Sequence, residues 1–138
     1  MASKTTGKAL GVGGVFFRSP DPARLANWYQ QALGLEIEAW GATHGTSFHP
    51  DAMPKNAFTV WSTFASDTEY FGDPKQSFMI NLVVDNLDEA LANVSKAGGA
   101  VIPDKEVHDF GRFGWIVDPD GNRVELWEPP EKMPESTE

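Results

Sequence analysis

Apolar residues recur along the chain first with the period of a strand and then with the period of a helix, and this succession occurs twice. Residues 13–18 have the composition of a short strand, and the segment that follows, "PDPARLANWYQQALGL", carries apolar residues at the spacing of a helix. Asp21 can cap that helix and Gly34 can end it. Residues 79–99, "MINLVVDNLDEALANVSKAGG", repeat this plan with a strand, a helix that Asn86 or Asp88 can cap, and a glycine stop. The pattern therefore predicts two copies of a strand and helix unit.

Three further strand-like runs follow each predicted helix. They are "LEIEAW", "HGTSFHP" and "AFTVWST" in the first half, and "GAVIPDKE", "RFGWIV" and "NRVELWE" in the second half. The last two runs are joined by "DPDG" at residues 118–121, where proline suits the second turn position and glycine supplies a positive φ. The sequence therefore predicts a βαβββ module that occurs twice, which is an α+β fold.

The length and the absence of a break in composition indicate one domain, which we expect to span residues 1–130. Module one covers about residues 12–63, and module two covers about residues 77–129. Residues 64–76 connect the modules. The proline-rich, acidic segment 131–138 has no pattern of buried residues, and we expect a flexible tail there.

The connecting segment is part of the longest stretch of the chain without clear periodicity. Tyr70 and Phe71 give it two adjacent aromatic side chains. It is therefore either a loop that packs over another part of the molecule or a linker anchored by two aromatic residues.

The charge and composition exclude several classes of function. Twenty acidic residues against eleven basic residues give a formal net charge of −9, which repels nucleic-acid phosphates and anionic lipid headgroups. The longest apolar runs are far shorter than a membrane span, and the N-terminal "MASKTTGK" lacks the apolar run of a signal peptide. The absence of cysteine excludes disulfides and thiolate chemistry and agrees with a reducing compartment. We expect a cytoplasmic protein with no nucleic-acid or membrane partner.

The segments "DPARLANWYQQALGL", "VDNLDEALANVSKAGG" and "DPDGNRVELWEP", within a doubled βαβββ pattern, resemble the vicinal-oxygen-chelate superfamily. That superfamily contains glyoxalase I, extradiol dioxygenases, fosfomycin resistance enzymes and bleomycin resistance proteins, and the resemblance covers about residues 12–129. It implies that the two modules form a cupped mixed sheet around one site, commonly in a homodimer whose chains exchange modules. For the enzymes it also implies a divalent metal ion, held by residues on the first and fourth strands of each module.

The four positions that the resemblance assigns to metal ligands contain one suitable donor. They correspond to Gly14 and Thr59 in module one and to Met79 and Glu125 in module two. The divalent ions of these enzymes need imidazole or carboxylate donors, which only Glu125 supplies. We therefore expect no cofactor and no metal-binding residues of the usual kind, with a divalent ion at an atypical site as the alternative.

Histidines are the second source of ligands for such an atypical site. His44 and His49 are five residues apart in a predicted strand or loop, so a regular strand places them on opposite faces. Their spacing, and the position of His108 far along the chain, match no helix-borne metal pair. Scattered histidines are more often surface or packing residues, but the sequence leaves both interpretations open.

Strand alternation separates an apolar face from a mixed face, and we expect the mixed face to line the cup. On the last strand Arg123, Glu125 and Trp127 share one face, whereas Val124 and Leu126 share the other, which should contact the helices. The equivalent positions of the other strands give an aromatic lining with a few polar groups, which suits a small organic molecule with a flat body. The predicted ligand-binding residues are Phe16, Arg18, Thr59, Trp61, Met79, Asn81, Phe113, Trp115 and Trp127.

Two charged residues of this predicted lining have alternative roles. By resemblance, Arg18 lies where some glyoxalases place an arginine that binds an acidic part of the substrate, but it could instead form a salt bridge to Glu125. Glu125 must be paired, protonated or bound to a cation if tryptophans surround it, and it could then act as a general acid or base. Otherwise it is a former ligand position satisfied by a neighbour. The candidate neighbours are Arg18, Arg112, Arg123 and Asn81.

These patterns favour a homodimeric protein that binds a small organic molecule in an aromatic-lined cup with a degenerate metal site. The alternative is an enzyme of the superfamily, a lyase, isomerase or dioxygenase, with Glu125 as catalytic base or as ligand of an atypical metal ion. A structural or protein-interaction module is a third hypothesis, which requires that the cup be filled by its own side chains.

Overall fold

The computed structural model describes residues 6–132, which contain two α-helices and six β-strands. In chain order these are α1 (Pro22–Leu33), β1 (Glu38–Trp40), β2 (Thr43–Gly45), β3 (Ile80–Val83), α2 (Leu87–Lys96), β4 (Ala100–His108), β5 (Gly111–Val117) and β6 (Arg123–Glu128). A single 3₁₀ turn, Pro50–Ala52, follows β2. Helices and sheets contribute to one core, in agreement with the predicted α+β fold.

The second half forms the βαβββ module that its sequence predicts. Its four strands make one mixed sheet in the order β3-β6-β5-β4, in which β3 runs parallel to β6 and the other neighbours are antiparallel. The turn between β5 and β6 is the predicted one, since the Gly121 amide donates to the Asp118 carbonyl at 2.9 Å and Gly121 has a φ of 88°. The central strand β6 therefore has a hydrogen-bonded neighbour on each side.

The caps of both helices follow from the sequence. The Asp21 side chain accepts a hydrogen bond from the Arg24 amide at 3.1 Å, and Gly34 ends α1 with a φ of 72°. At α2 the cap is Asn86, whose side chain accepts from the Glu89 amide at 3.0 Å. Within residues 6–132 there is no helix long and apolar enough to cross a membrane.

Both helices pack on the same face of the four-stranded sheet. The apolar sides of α1 and α2 form one core with the face of β5 and β6 that carries Ile116, Val124 and Leu126. The indole of Trp28 donates to the Ala97 carbonyl at 3.1 Å, which fixes α1 against the end of α2. A Cβ at Gly99 would lie 2.5 Å from the Trp28 ring, so this close approach requires glycine. The core thus joins a helix of the first half to the sheet of the second.

The first half differs from its predicted strand pattern. Only β1 and β2 form there, as a two-stranded antiparallel hairpin that is shorter than the predicted runs. Residues 13–18 and 57–63, predicted as the first and fourth strands of module one, are not strands in the structure. Among the described residues no segment supplies them with ladder hydrogen bonds, and a strand forms only against a partner. The four-stranded sheet of the structure therefore lies entirely within module two.

The predicted flexible tail begins within the described residues. The Asn56 side-chain amide donates to the carbonyls of Pro130 and Glu131, both at 2.8 Å, so this part of the chain is bound to the first half. The rest of the predicted tail, residues 133–138, lies outside the described residues.

Candidate functional site

The face of the sheet opposite the helices carries the mixed set of side chains that alternation predicts. In the observed register Asn81 and Trp115 lie on either side of Glu125, and Phe113 lies beside Trp127. This face borders an open cavity of about 2740 Å³. Pockets for small molecules usually measure roughly 300–1,000 Å³, so the space exceeds what one such ligand fills.

Glu125 is the polar centre of this face. Its side chain is buried, with 8% exposed, and its two oxygens accept three hydrogen bonds. The Asn81 amide donates to Oε1 at 2.7 Å, the Trp115 indole donates to Oε2 at 3.1 Å, and the Tyr70 hydroxyl donates to Oε2 as well. All three donors are uncharged. The carboxylate is thus oriented by neutral groups on three separate segments of the chain.

Among the four candidate neighbours of Glu125, the structure selects Asn81. Arg18 is exposed and forms no ion pair with Glu125. Arg112 lies near the Glu128 carboxylate, at 3.5 Å, and donates to an acid of α2. The Arg123 guanidinium lies over the Trp115 ring, 5.7 Å from its centroid. Asn81 reaches Glu125 because parallel pairing of β3 with β6 places the two residues side by side.

Residues 64–76 form a loop that packs over Glu125, which is the first of the two alternatives left by the sequence. Tyr70 stacks on Phe64 with ring centroids 5.3 Å apart and meets Trp115 edge to face at 5.8 Å. The Gln76 side chain exchanges two hydrogen bonds of 2.8 Å with the backbone of Arg123. The loop is therefore attached to β6 at two points, through Tyr70 and through Gln76.

Tyr70 remains a hydrogen-bond donor at ordinary pH. Burial raises its pKa first, and the hydrogen bond to Glu125 and the negative charge of that carboxylate raise the pKa further. Sequence analysis assigned Tyr70 to a loop and did not include it among the site residues. The signal that marks it is a pair of adjacent aromatic residues in a segment without periodicity.

Trp127 forms the aromatic wall beside Glu125. Its ring is parallel to that of Phe113 at 6.1 Å and meets Phe58 edge to face at 5.0 Å, and its indole donates to the Phe110 carbonyl at 2.7 Å. A Cβ at Gly111 would lie 2.7 Å from the indole nitrogen, and Gly111 has a φ of 123°, so this turn needs glycine for two reasons. Trp127 is 4% exposed and has a fixed orientation.

The other predicted lining residues are less closely grouped. Met79 borders the cavity next to Asn81 on the same edge of the sheet. Phe16, Thr59 and Trp61 border the cavity from segments that are not strands, and Phe16 and Trp61 are 89% and 80% exposed. The predicted residues that do not border it are Arg18 and Trp115.

The residues at the four superfamily ligand positions do not fit a divalent metal ion. Gly14 has no donor, Thr59 and Met79 offer a neutral hydroxyl and a thioether, and the oxygens of Glu125 already accept three hydrogen bonds. Within residues 6–132 there is also no group of three or more histidine, cysteine or acidic side chains arranged to hold a metal. We derive no chemistry through a metal at this site.

Comparisons with known proteins agree with this architecture. The sequence model of the glyoxalase-like domain matches residues 14–127. A member of the glyoxalase/bleomycin resistance protein/dioxygenase superfamily from Sphaerobacter thermophilus is 22% identical, with a TM-score of 0.50 over 88% of this chain and 98% of its own. A lactoylglutathione lyase from Agrobacterium tumefaciens is 15% identical, with a TM-score of 0.50 over 88% and 95%.

An antibiotic-binding protein from Streptomyces sp. CB03234 is 23% identical, with a TM-score of 0.47 over 80% of this chain and 88% of its own. No curated protein sequence matches the chain. The two solved structures with a TM-score of 0.50 show a shared fold, and the domain match covers most of the sequence, from the first predicted strand into β6. The chain therefore belongs to the glyoxalase-like domain family, within the vicinal-oxygen-chelate superfamily that its sequence resembles.

Proposed function

We propose that this protein binds a small organic molecule with a flat body on the face of the sheet β3-β6-β5-β4 that lies opposite the helices. The observation that carries the proposal is the buried carboxylate of Glu125, which neutral donors orient among aromatic rings on a face that borders the cavity. A mostly apolar surface with a few oriented polar groups is typical of small-molecule sites. The aromatic rings supply contact area, and Glu125 supplies orientation.

Binding is favoured over catalysis by the groups that surround Glu125. Its hydrogen-bonding partners are an amide, an indole and a phenol, and burial raises the pKa of that phenol, Tyr70, so it is not activated as a nucleophile. The three hydrogen bonds use three of its four acceptor positions, which restricts its use as a general base. We therefore propose that the site holds its ligand without a bound metal ion and without a chemical step.

A second copy of the chain completes the cup in this proposal. Segments 13–18 and 57–63 have no strand partner among the described residues and carry exposed apolar side chains, such as Val60 at 66% and Trp61 at 80%. Unpaired strand edges and large apolar patches are typical of association surfaces. The size of the cavity also leaves room for a partner. We propose a homodimer in which the surface that carries segments 13–18 and 57–63 in one chain covers the same surface of the other.

Light scattering combined with size exclusion tests the homodimer. We expect a particle of twice the chain mass of 15.1 kDa. Trp61→Glu should weaken the dimer by about tenfold or more, because it places a charge in an apolar interface. Val107→Glu is the control, since Val107 is similarly exposed, at 73%, but lies on β4 in the second half. A 15.1 kDa species for the wild type at all concentrations would contradict the dimer.

Calorimetric titration with a panel of flat bicyclic and tricyclic aromatic molecules tests ligand binding, and elemental analysis of the dialysed protein tests the absence of metal. We expect at least one ligand with a dissociation constant in the micromolar range and less than about 0.1 metal ion per chain. Phe113→Ala should weaken binding by about tenfold, because it removes the ring stacked on Trp127. Val107→Ala, at an exposed position of β4 that does not border the cavity, should have little effect. Failure of every molecule, or a stoichiometric metal ion, would refute the proposal.

A further inference from the structure

The hydrogen bonds of Glu125 leave one acceptor position unused. A carboxylate offers about four lone-pair positions, and three of them are occupied here. Oε2 accepts from Trp115 and Tyr70, whereas Oε1 accepts only from Asn81. Asn81 is exposed on the edge strand β3, and both residues border the cavity. The unused position is therefore on Oε1, the oxygen next to the open edge of the sheet.

The charge of Glu125 has no ion-pair partner among residues 6–132. Arg123 is on the same face of β6, but its guanidinium lies over Trp115 beneath Gly72 of the connecting loop and does not border the cavity. Burial of a carboxylate is costly unless a cation compensates it. Neutral donors orient Glu125 but do not neutralise it, so the site retains a preference for positive charge.

The surroundings of Glu125 reinforce this preference. Glu106 on β4 pairs in register with Phe113, so it points to the same face, and its charge contributes to raising the pKa of Tyr70. The Tyr70 ring also borders the cavity, and the face of an aromatic ring attracts cations. The net charge of −9 acts in the same direction at long range.

We propose that the ligand of this site is an organic cation, a flat molecule with a protonated nitrogen that donates a charge-assisted hydrogen bond to Oε1 of Glu125. This inference rests on the proposed binding function and specifies its ligand class. The protonated nitrogen supplies the countercharge that the chain does not, and the flat body lies against the aromatic wall that Phe113 and Trp127 form. Tyr70, Trp115 and Asn81 act as positioning residues, since they hold the carboxylate in one orientation.

Two probes of equal shape test the ligand class: 1-naphthylmethylamine, which is protonated at pH 7, and 1-naphthalenemethanol, which is neutral. We expect calorimetry to show that the wild type binds the amine about tenfold or more tightly than the alcohol. Glu125→Gln should abolish this preference, because it removes the charge that pairs with the protonated nitrogen. The variant keeps the shape of the side chain and removes its charge.

Glu106→Gln is the matched control, because it removes the same charge from an exposed carboxylate on β4, two strands away in the same sheet. It should retain most of the preference for the amine. An equal loss in both variants would overturn the proposal, since the preference would then come from overall charge. If Glu125→Gln does not fold, the two wild-type affinities decide: equal affinities for amine and alcohol refute the cation and leave ligand binding intact. The organic-cation proposal is also refuted if neutral molecules of the aromatic panel bind while neither probe and no other aromatic cation does.

Discussion

The segments "TVW" at residues 59–61 and "ELW" at residues 125–127 occupy equivalent places in the two halves, yet the structure treats them differently. Val60 is 66% exposed and Trp61 is 80% exposed, whereas Leu126 is fully buried and Trp127 is 4% exposed. The local sequences have the same alternation. The difference therefore arises from what surrounds each segment.

The second of these segments has partners on all sides. Strand β6 pairs with β3 and β5, its apolar face contacts the helices, and the connecting loop covers its mixed face through Tyr70. Residues 57–63 have no strand neighbour among the described residues. The comparison shows that alternation defines which face of a strand is apolar, while a partner decides whether the strand forms.

Helix α1 belongs to the first half by sequence and to the second half by packing. Its residues Leu25, Trp28 and Tyr29 are buried in the core that α2 and the four-stranded sheet provide. The helix needs no ladder partner, because its backbone hydrogen bonds are internal, and its apolar stripe is enough to dock it. Segments 13–18 and 57–63 depend on a strand partner and have none among the described residues, whereas α1 needs none and is packed in the core.

The largest expected effect separates the two halves directly. Leu126→Ala should lower the free energy of unfolding by about 2–5 kcal/mol, because it leaves a cavity in a fully buried position. Val60→Ala, at an exposed position of the first half, should change it by less than about 0.5 kcal/mol in the monomer. Urea denaturation at a low protein concentration measures both. A Val60→Ala cost that grows with protein concentration would show that the proposed second chain covers this position.

Much of the second half can be predicted from its sequence because each signal there is local. The Asn86 cap, the turn at residues 118–121 and the alternation of β5 and β6 are each contained in a few residues. The strands of the first half could not be predicted in the same way, since Gly13 and Gly14 weaken one of them and their pairing depends on distant segments.

The residues of the candidate site also differ in whether local sequence signals are enough to place them. Asn81, Trp115 and Glu125 could be placed on one face because strand register brings them together. Tyr70 could not be assigned to Glu125, because the conformation of a loop without periodicity depends on tertiary contacts. The predicted interaction of Arg18 with Glu125 assumed that residues 13–18 form a strand that lines the cup, and these residues are not a strand in the structure.

High pH should weaken two hydrogen bonds that attach α1 and the connecting loop to the second half. They are the bond from Tyr29 to Asp118 and the bond from Tyr70 to Glu125. Burial and the Asp118 carboxylate raise the pKa of Tyr29, and burial and Glu125 raise the pKa of Tyr70, above the ordinary value of 10.0. The folded state then keeps protons that the unfolded state loses above pH 10. Both tyrosines therefore contribute fully to the free energy of unfolding below pH 10, and this contribution is lost as the pH rises further.

The measurement is urea denaturation at pH 9 and pH 11. Buried Tyr29 should contribute a loss of about 1.4 kcal/mol for each pH unit above 10, and half-buried Tyr70 a smaller loss because solvent screens it. Tyr29→Phe should therefore remove most of the extra loss and Tyr70→Phe less of it. An unchanged loss in Tyr29→Phe would assign the alkaline transition to other groups.

The smallest effect concerns the same two hydroxyls at pH 7 and compares a helix contact with a loop contact. Tyr29→Phe removes a 2.7 Å hydrogen bond to the buried Asp118, and we expect a cost of about 1–2 kcal/mol. Tyr70→Phe removes the bond to Glu125 but leaves Asn81 and Trp115 in place, and water can reach this half-buried position, so we expect about 0.5–1 kcal/mol. Both variants keep the aromatic ring. A larger cost for Tyr70 in urea denaturation would mean that the connecting loop, rather than α1, is the stronger attachment between the first half and the sheet.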